Sequence, residues 1–254
     1  FVLVTDAYDA SELAAIKHEI ITIESAASRD DPGYLFTAEG GIWAIWNLYE
    51  RSKALMRLVL SPDVFRIVPA VFGEPAEFCR ATLMRKAPGT RHTVGWHQDA
   101  GIAVDRHIDD ERALDIRNGV PHRVPTVEVM QRIMATRVNG DPQYADGGCL
   151  KVIPGSHRWG MPERKALIER AESAPPLLCP APAGSVLFYH QLLVHSSSVS
   201  ERNDPDNHRR VVHNEFHAAS CEPGDGLNWW PWRHTARVTE QGMLFRVEKG
   251  VGGG

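Results

Sequence analysis

The sequence has little that would suit it to nucleic acid, to a bilayer or to structural zinc. Its 28 lysines and arginines are outnumbered by 32 acidic residues, and a net charge of −4 leaves no basic footprint for a phosphate backbone. No apolar run approaches the roughly 20 residues needed to span a bilayer. The four cysteines, Cys79, Cys149, Cys179 and Cys221, are scattered without Cys-x-x-Cys spacing, which argues against a zinc knuckle and gives no disulfide framework. Reduced, mostly buried thiols in a cytoplasmic protein are the expectation. The sequence opens at Phe1 rather than methionine, so further residues upstream are expected. Internal repeats and low-complexity tracts are absent. What is present is an ordinary globular composition: 254 residues, 43% of them hydrophobic, suffice for one sizeable core. The expectation is a single domain over 1–254, a monomer or homodimer, acting on a small molecule.

The first part of the chain reads as helix. Asp9-Ala10-Ser11-Glu12 has the form of a capping box, and Leu13, Ile16, Ile20 and Ile23 recur at helical spacing, which predicts an amphipathic helix over 10–26. A second helix is expected over 47–60, closed by Ser61-Pro62, and a short third over 63–72. After Gly73 the pattern changes to short strands separated by turns such as Pro88-Gly89, Asn118-Gly119 and Gly147-Gly148, with one helical insertion over 163–174. Helices followed by many strands predict a mainly β fold with flanking α. Its core is a double-stranded β-helix, jelly-roll and cupin-like, over about 76–218. The helical part, about 1–75, packs on the outer face of that core, and 219–254 forms a C-terminal extension. The terminal Gly252-Gly253-Gly254 is expected to be a flexible end.

Within the strands, Trp96-His97-Gln98-Asp99 carries chemistry. Side chains on an extended strand alternate, so His97 and Asp99 project from one face and can grip one ion. A second His-x-Asp occurs at His107-Ile108-Asp109. The first follows a strand-like run from Phe78 to Lys86, whereas the second sits among Asp105, Arg106, Asp110, Glu111 and Arg112 and reads as solvated loop. Context therefore favours the first. The remaining ligand must come from elsewhere. His190 and His195 lie on an apolar run, an odd number of residues apart, so on a regular strand only one can face the ion. Arg209 and Arg210 pose the same alternative: one should line a pocket while the other meets solvent. Two imidazoles and a carboxylate leave three positions of an octahedral Fe(II) open, enough for a bidentate 2-oxo acid and dioxygen.

Several stretches together resemble the phytanoyl-CoA dioxygenase family of Fe(II)- and 2-oxoglutarate-dependent oxygenases. They are Met84-Arg85-Lys86-Ala87-Pro88-Gly89 leading to Trp96-His97-Gln98-Asp99-Ala100, then Gly148-Cys149-Leu150-Lys151-Val152-Ile153-Pro154-Gly155-Ser156-His157, then His195-Ser196-Ser197 followed by Arg209-Arg210. The resemblance runs through most of 48–217. It implies Fe(II) on His97, Asp99 and His195, with 2-oxoglutarate and O2 as co-substrates. The co-substrate's arginine falls on Arg209, with Arg210 as the fallback, and its further contacts on Ser197, Gln131 and Gln98. Lys86 matches a family lysine with an expected structural role. Trp46, Trp229 and Trp232 are candidates to wall an apolar substrate pocket, against the plainer reading of helix-to-sheet packing. Two departures from the family pattern stand out. The segment 101–126 is long, charged and broken by Asn118-Gly119 and prolines, so it is expected to be a mobile lid that selects substrate. The segment 137–145 is expected to lengthen the loop before Gly147-Gly148.

The implied activity is oxidation of an unactivated carbon of a small molecule, by hydroxylation of a secondary metabolite. Acyl-CoA hydroxylation, desaturation, epimerisation and ring formation are the alternatives within the family. Asp99 fills the carboxylate position, so no site is vacated for a halide. A cupin-type dioxygenase or isomerase would have more histidines around its metal and no use for Arg209. A non-catalytic jelly-roll binding protein is opposed by the intact ligand set.

Overall fold

The computed structural model describes residues 1–88, 92–202, 206 and 208–247. Strand β1 (Val2–Val4) leads to helix α1 (Ala10–Ser25), then to a hairpin of β2 (Tyr34–Phe36) and β3 (Ile42–Ile45). Four short helices follow, α2 (Leu48–Arg51), α3 (Lys53–Val59), α4 (Pro62–Phe65) and α5 (Ile67–Phe72). The strand region begins with β4 (Ala76–Lys86), β5 (Val94–His97), β6 (Ile102–Ala103), β7 (Ala113–Arg117) and β8 (Val120–Arg123). A single helical turn, α6 (Val127–Met130), precedes β9 (Ile133–Asn139) and β10 (Leu150–Val152). Helix α7 (Arg164–Glu172) and β11 (Leu177–Cys179) lead to β12 (Val186–His190), β13 (His195–Ser197) and β14 (Arg209–Ala218), and β15 (His234–Thr239) with β16 (Gly242–Val247) end the described chain. No helix among the described residues is long and apolar enough to cross a membrane.

The strands form an antiparallel jelly roll. The large sheet has the order β1-β12-β9-β14-β4-β15-β16, with the β2–β3 hairpin also joined to β4; the smaller has the order β11-β10-β13-β5. A third sheet, β6-β8-β7, follows the first metal-ligand candidates in the chain. Alternation along the large sheet divides its two faces. Phe78, Ala81, Leu83, Val138, Phe188, Val212 and Phe216 face outward into one apolar cluster with Ile16, Ile20 and Ile23 of α1 and Leu55, Met56 and Val59 of α3. Arg80, Thr82, Met84, Arg137, Arg209, His213 and Glu215 face inward, toward the smaller sheet. The N-terminal helices thus cover the outer face, as the pattern predicts, because only that face is apolar.

Helix α1 starts as the capping box predicts, with Asp9 Oδ1 accepting from Ser11 and Glu12 N–H and Glu12 accepting from Asp9 N–H. The expected helix over 47–60 is instead two helices broken at Ser52. That residue is extended (φ −147°), its Oγ accepts from Leu55 N–H at 2.9 Å and donates to Glu19 at 2.8 Å, and so it caps α3 rather than continuing α2. The third helix is similarly split at Arg66 and stops at Gly73, where φ is 71°. The helical insertion falls at α7. The N-terminal part is not wholly helical, since β1 edges the large sheet against β12 and β3 pairs with β4; three- and four-residue strands are too short to reveal a period in sequence. The C-terminal extension contributes β15 and β16 to the same sheet. Residues 137–139 belong to β9, so the loop expected over 137–145 begins only at Gly140.

The larger correction concerns 101–126. The segment is a small sheet, not a long loop. Asn118 and Gly119 both have positive φ (50° and 78°), the requirement of a type I′ turn, and they join β7 to β8 with Arg117 opposite Val120. All four residues of β8 are buried. The hairpin tip is docked: a Cβ on Gly33 would stand 2.8 Å from Asn118 Nδ2. Arg123, 2% exposed, ties the base to Asp110 and Asp225 at 3.0 and 3.2 Å. Gly89 of the expected Pro88-Gly89 turn, and Gly252, Gly253 and Gly254, lie outside the described residues.

Candidate active site

Between the two main sheets lies a cavity of about 380 Å³. His97 ends β5, His195 begins β13, and the two are direct partners across the ladder. The register slips between His195 and Ser197, a bulge at the point where the side chains must converge. Asp99 follows β5 after one residue, just beyond the strand end. Its two oxygens lie 3.5 Å from His97 Nε2 and 3.5 Å from His195 Nε2, and one donor atom from each of the three falls within 4.8 Å of the others. Adjacent ligands roughly 2.1 Å from one ion stand about 3 Å apart, so small adjustments would close the set.

Tautomers favour the same reading. His97 Nδ1 is 2.9 Å from the carbonyl of Gly95, and His195 Nδ1 is 2.9 Å from that of Leu193. A carbonyl only accepts, so each Nδ1 carries a hydrogen and each Nε2 is the ring nitrogen turned toward Asp99. Burial, reinforced by His97, pushes the His195 imidazole down to about 3 and keeps it neutral, the state in which it ligates a metal. Burial also opposes ionisation of Asp99, yet the imidazoles around it hold its carboxyl well below the usual carboxylate range. Burial opposes charge on His97 too, but the Asp99 carboxylate raises that imidazole on balance, so a metal would take the place of the His97 Nε2 proton; two imidazoles and one carboxylate are a donor set that fits a divalent iron.

A second corner is cationic. Arg209 is 6% exposed; its Nη1 donates to the carbonyl of Gly148, and its Nε has no partner. Burial, then the nearby Arg137, push this guanidinium down to about 9. Lys86 donates to the carbonyl of Ser198, and burial followed by Arg209 and Arg137 pushes it down to about 7. Gly148 has φ 69°, and a Cβ there would stand 2.5 Å from the carbonyl oxygen of Ser198, so only glycine lets these backbones meet. Ser197 lines the cavity beside this group. Among the described residues no carboxylate pairs with Arg209, so the corner holds cationic charge that an anion could meet. Arg210 faces the other way, 3.2 Å from Glu24 and 3.4 Å from Asp141.

The structure brings His97, Asp99, His195, Arg209, Ser197 and Trp46 to one cavity. It leaves other candidates elsewhere. Gln131 is the exposed C-cap of α6, before β9 begins, and does not line the cavity. Gln98 donates Nε2 to the carbonyls of Leu192 (2.7 Å) and Gly160 (3.0 Å), so it clamps two loops instead of meeting a co-substrate. Trp229 stacks on His217 at 4.1 Å and donates to the Cys221 carbonyl. Trp232 is buried in the outer core and donates to the Cys79 carbonyl. Neither lines the cavity; Trp43 does, beside Trp46. His190 is turned aside, accepting from Leu192 N–H at 3.0 Å, and His107 and Asp109 are exposed. Each cysteine is free.

Residues that the motifs did not point to complete the lining. His213 Nε2 is 3.2 Å from Glu215 Oε1 and 3.8 Å from Asp99 Oδ2, its Nδ1 is 3.2 Å from the Tyr189 hydroxyl, and Glu215 is paired with Arg80. Alternation alone could have found them: once Arg209 faces inward, His213 and Glu215 on the same strand follow.

The sequence matches the family model described as phytanoyl-CoA dioxygenase over residues 1–211. No curated protein matches it. Among solved structures it is similar to the non-haem α-ketoglutarate-dependent epimerase SnoN from nogalamycin biosynthesis, with 16% identity, 94% of this chain and 80% of that one covered, and a TM-score of 0.62. It is similar to EctD from S. alaskensis, crystallised with 2-oxoglutarate and 5-hydroxyectoine, at 18% identity over 88% of this chain and 73% of that one, TM-score 0.67. It also resembles the α-ketoglutarate-dependent carbocyclase SnoK from nogalamycin biosynthesis, at 15% identity over 89% and 83%, TM-score 0.65.

Proposed function

The chain belongs to the phytanoyl-CoA dioxygenase family of Fe(II)- and 2-oxoglutarate-dependent oxygenases, and from that premise we propose that it hydroxylates an unactivated carbon of a small secondary metabolite bound in the cavity between its sheets. His97, Asp99 and His195 hold the iron, and Arg209 with Ser197 receives the far carboxylate of 2-oxoglutarate. The observation that carries this reading is the pairing of a complete two-histidine, one-carboxylate set with a buried guanidinium whose Nε has no partner and which meets no carboxylate among the described residues.

When bound, the iron supplies activation of dioxygen coupled to decarboxylation of 2-oxoglutarate. The chain's residues supply the rest. Gly95 and Leu193 carbonyls fix the two imidazole rings, so Nε2 of each is presented without reorganisation. Gly148 orients Arg209 through Nη1, leaving its other nitrogens for a bidentate contact with a carboxylate. His213, held between Tyr189 and Glu215, braces Asp99 from the opposite sheet. Trp43, Trp46 and Met84 give the cavity an apolar part that can exclude water from the reacting carbon.

A cavity of about 380 Å³ suits a free metabolite, in the lower range of small-ligand sites, better than the full length of a CoA thioester. Epimerisation and ring closure draw on the same fold in the epimerase SnoN and the carbocyclase SnoK. The product decides among them. Anaerobic protein is loaded with Fe(II) and 2-oxoglutarate, mixed with a metabolite library and exposed to oxygen, and succinate and product mass are measured. Substrate-dependent succinate with an added oxygen atom supports hydroxylation. Unchanged mass or lost hydrogen assigns one of the other outcomes, and absence of succinate with every compound overturns the enzyme reading.

A further inference from the structure

The β6–β8 sheet contributes a cavity wall whose polar groups neither iron nor 2-oxoglutarate uses. Arg117 ends β7, fixed opposite Val120 by the Asn118-Gly119 turn, and His122 pairs across the ladder with Leu114. Both side chains line the cavity. The Arg117 guanidinium lies over the Trp46 ring, 5.4 Å from its centroid, and no carboxylate among the described residues forms an ion pair with it. Asp115 also lines the cavity, but it is exposed and makes no ion pair with Arg117. Burial, then the charge of Arg80, lower Arg117 from the ordinary arginine range, and the charges of Asp115, Glu215 and Asp99 offset this only in part. Arg80 itself is engaged by Glu215, and Arg137 and Arg209 stand in the co-substrate corner beside Lys86.

His122 is the independent second observation. It is 2% exposed, its Nδ1 lies 2.9 Å from the Val120 carbonyl and so carries the hydrogen, and its Nε2 is buried with no partner among the described residues. Burial and the charge of Arg80 push this imidazole down to about 3, so it stays neutral and Nε2 can only accept. The His122 ring and the Arg117 guanidinium line the same space, with Nε2 just beneath its surface, so a ligand donor reaches Nε2 with a small turn of the ring while its anion meets Arg117.

Building on the reading of this cavity as the active site, we infer that Arg117 and His122 select the substrate: a small anion whose carboxylate or phosphate pairs with Arg117, whose hydroxyl or amine hydrogen is donated to His122 Nε2, and whose apolar part rests on Trp43 and Trp46.

The test uses Fe(II)- and 2-oxoglutarate-loaded protein and a library in which every carboxylic acid or phosphate ester is paired with its neutral amide or alcohol. Succinate formation is measured with oxygen, and binding of the same compounds is measured by calorimetry without it. The anionic member of a pair should bind and stimulate, its neutral counterpart at least about tenfold less. Arg117→Gln should weaken that binding about 100-fold, Arg117→Lys should recover part of it, and His122→Phe should cost about tenfold. Arg233→Gln, an exposed arginine beside Glu50 outside the cavity, is the charge control. Equal binding of neutral and anionic members, no binding of any anion, or undiminished binding by Arg117→Gln would overturn the inference. So would an Arg117→Gln variant whose 2-oxoglutarate constant rises as much as that of Arg209→Ala, since Arg117 would then belong to the co-substrate site. Failure of wild type to form the visible Fe(II)–2-oxoglutarate chelate is a different result, against the active-site reading itself.

Discussion

Strand β14 has two sides that do opposite work. Val212 and Phe216 point outward and are fully buried in the apolar cluster they share with helices α1 and α3, Phe216 against the rings of Phe65 and Phe78. Arg209, His213 and Glu215, on the same strand, point inward and are also buried, but among charges and hydrogen bonds. Burial is nearly equal on the two sides, and only its chemistry differs. The outward side gains from apolar area removed from water, whereas the inward side holds polar groups that bear their desolvation cost because a ligand is to meet them. A fold stabilised on one face of a sheet is thereby free to keep an unstable arrangement on the other.

The difference can be sharpened by substitutions on each side. The largest effect is expected inward, at the metal set: His195→Ala should lose turnover by at least about 10³-fold, because two ligands hold Fe(II) poorly against water, while thermal unfolding monitored by circular dichroism shifts little. Next is the co-substrate corner. Arg209→Ala leaves a carboxylate unpaired in a buried site, at a cost of about 3 to 5 kcal/mol, so the apparent 2-oxoglutarate constant should rise a few hundredfold or more. Arg210→Ala, one residue on and facing Glu24 and Asp141, should change that constant little. Equal sensitivity of the two would break the division of faces. Outward, Phe216→Ala should cost about 3 to 5 kcal/mol of stability in urea titrations, with the 2-oxoglutarate constant of the remaining folded protein unchanged. A smaller inward effect is expected for Gly148→Ala. Its positive φ and the approach of the Ser198 carbonyl cost about 1 to 3 kcal/mol, and because relief of that clash shifts Gly148, whose own carbonyl orients Arg209, the 2-oxoglutarate constant should rise with the loss of stability. Gln131→Ala should alter neither quantity, and a raised 2-oxoglutarate constant there would return that residue to the site.

Legibility in the sequence followed the same division. Helix α1 was readable from Asp9, Glu12 and the isoleucine spacing because capping and period are local. The choice of His97-Asp99 over His107-Asp109 rested on context, and the structure leaves the second pair exposed. The break at Ser52 was hidden because a serine inside a helical pattern caps or continues according to a partner, here Glu19, that is remote in sequence. The 101–126 hairpin was hidden because its strands are short and charged, although Asn118-Gly119 carried the turn signal. Gln131 was misplaced because its assignment depended on where β9 starts, and Gln98 because the carbonyls it clamps lie far off in the chain. The tryptophans near the C-terminus gave no directional cue: Trp232 packs in the outer core, and Trp229 lies away from the cavity against His217.

The central claim is that the inward face and its partner sheet assemble one iron and 2-oxoglutarate site from His97, Asp99, His195 and Arg209. It is tested most directly by anaerobic titration of the protein with Fe(II) and 2-oxoglutarate, following the weak visible band of the chelate in wild type, Asp99→Ala and Asp109→Ala. The account predicts the band in wild type and in Asp109→Ala, and its loss in Asp99→Ala. A band retained by Asp99→Ala and lost from Asp109→Ala would contradict it.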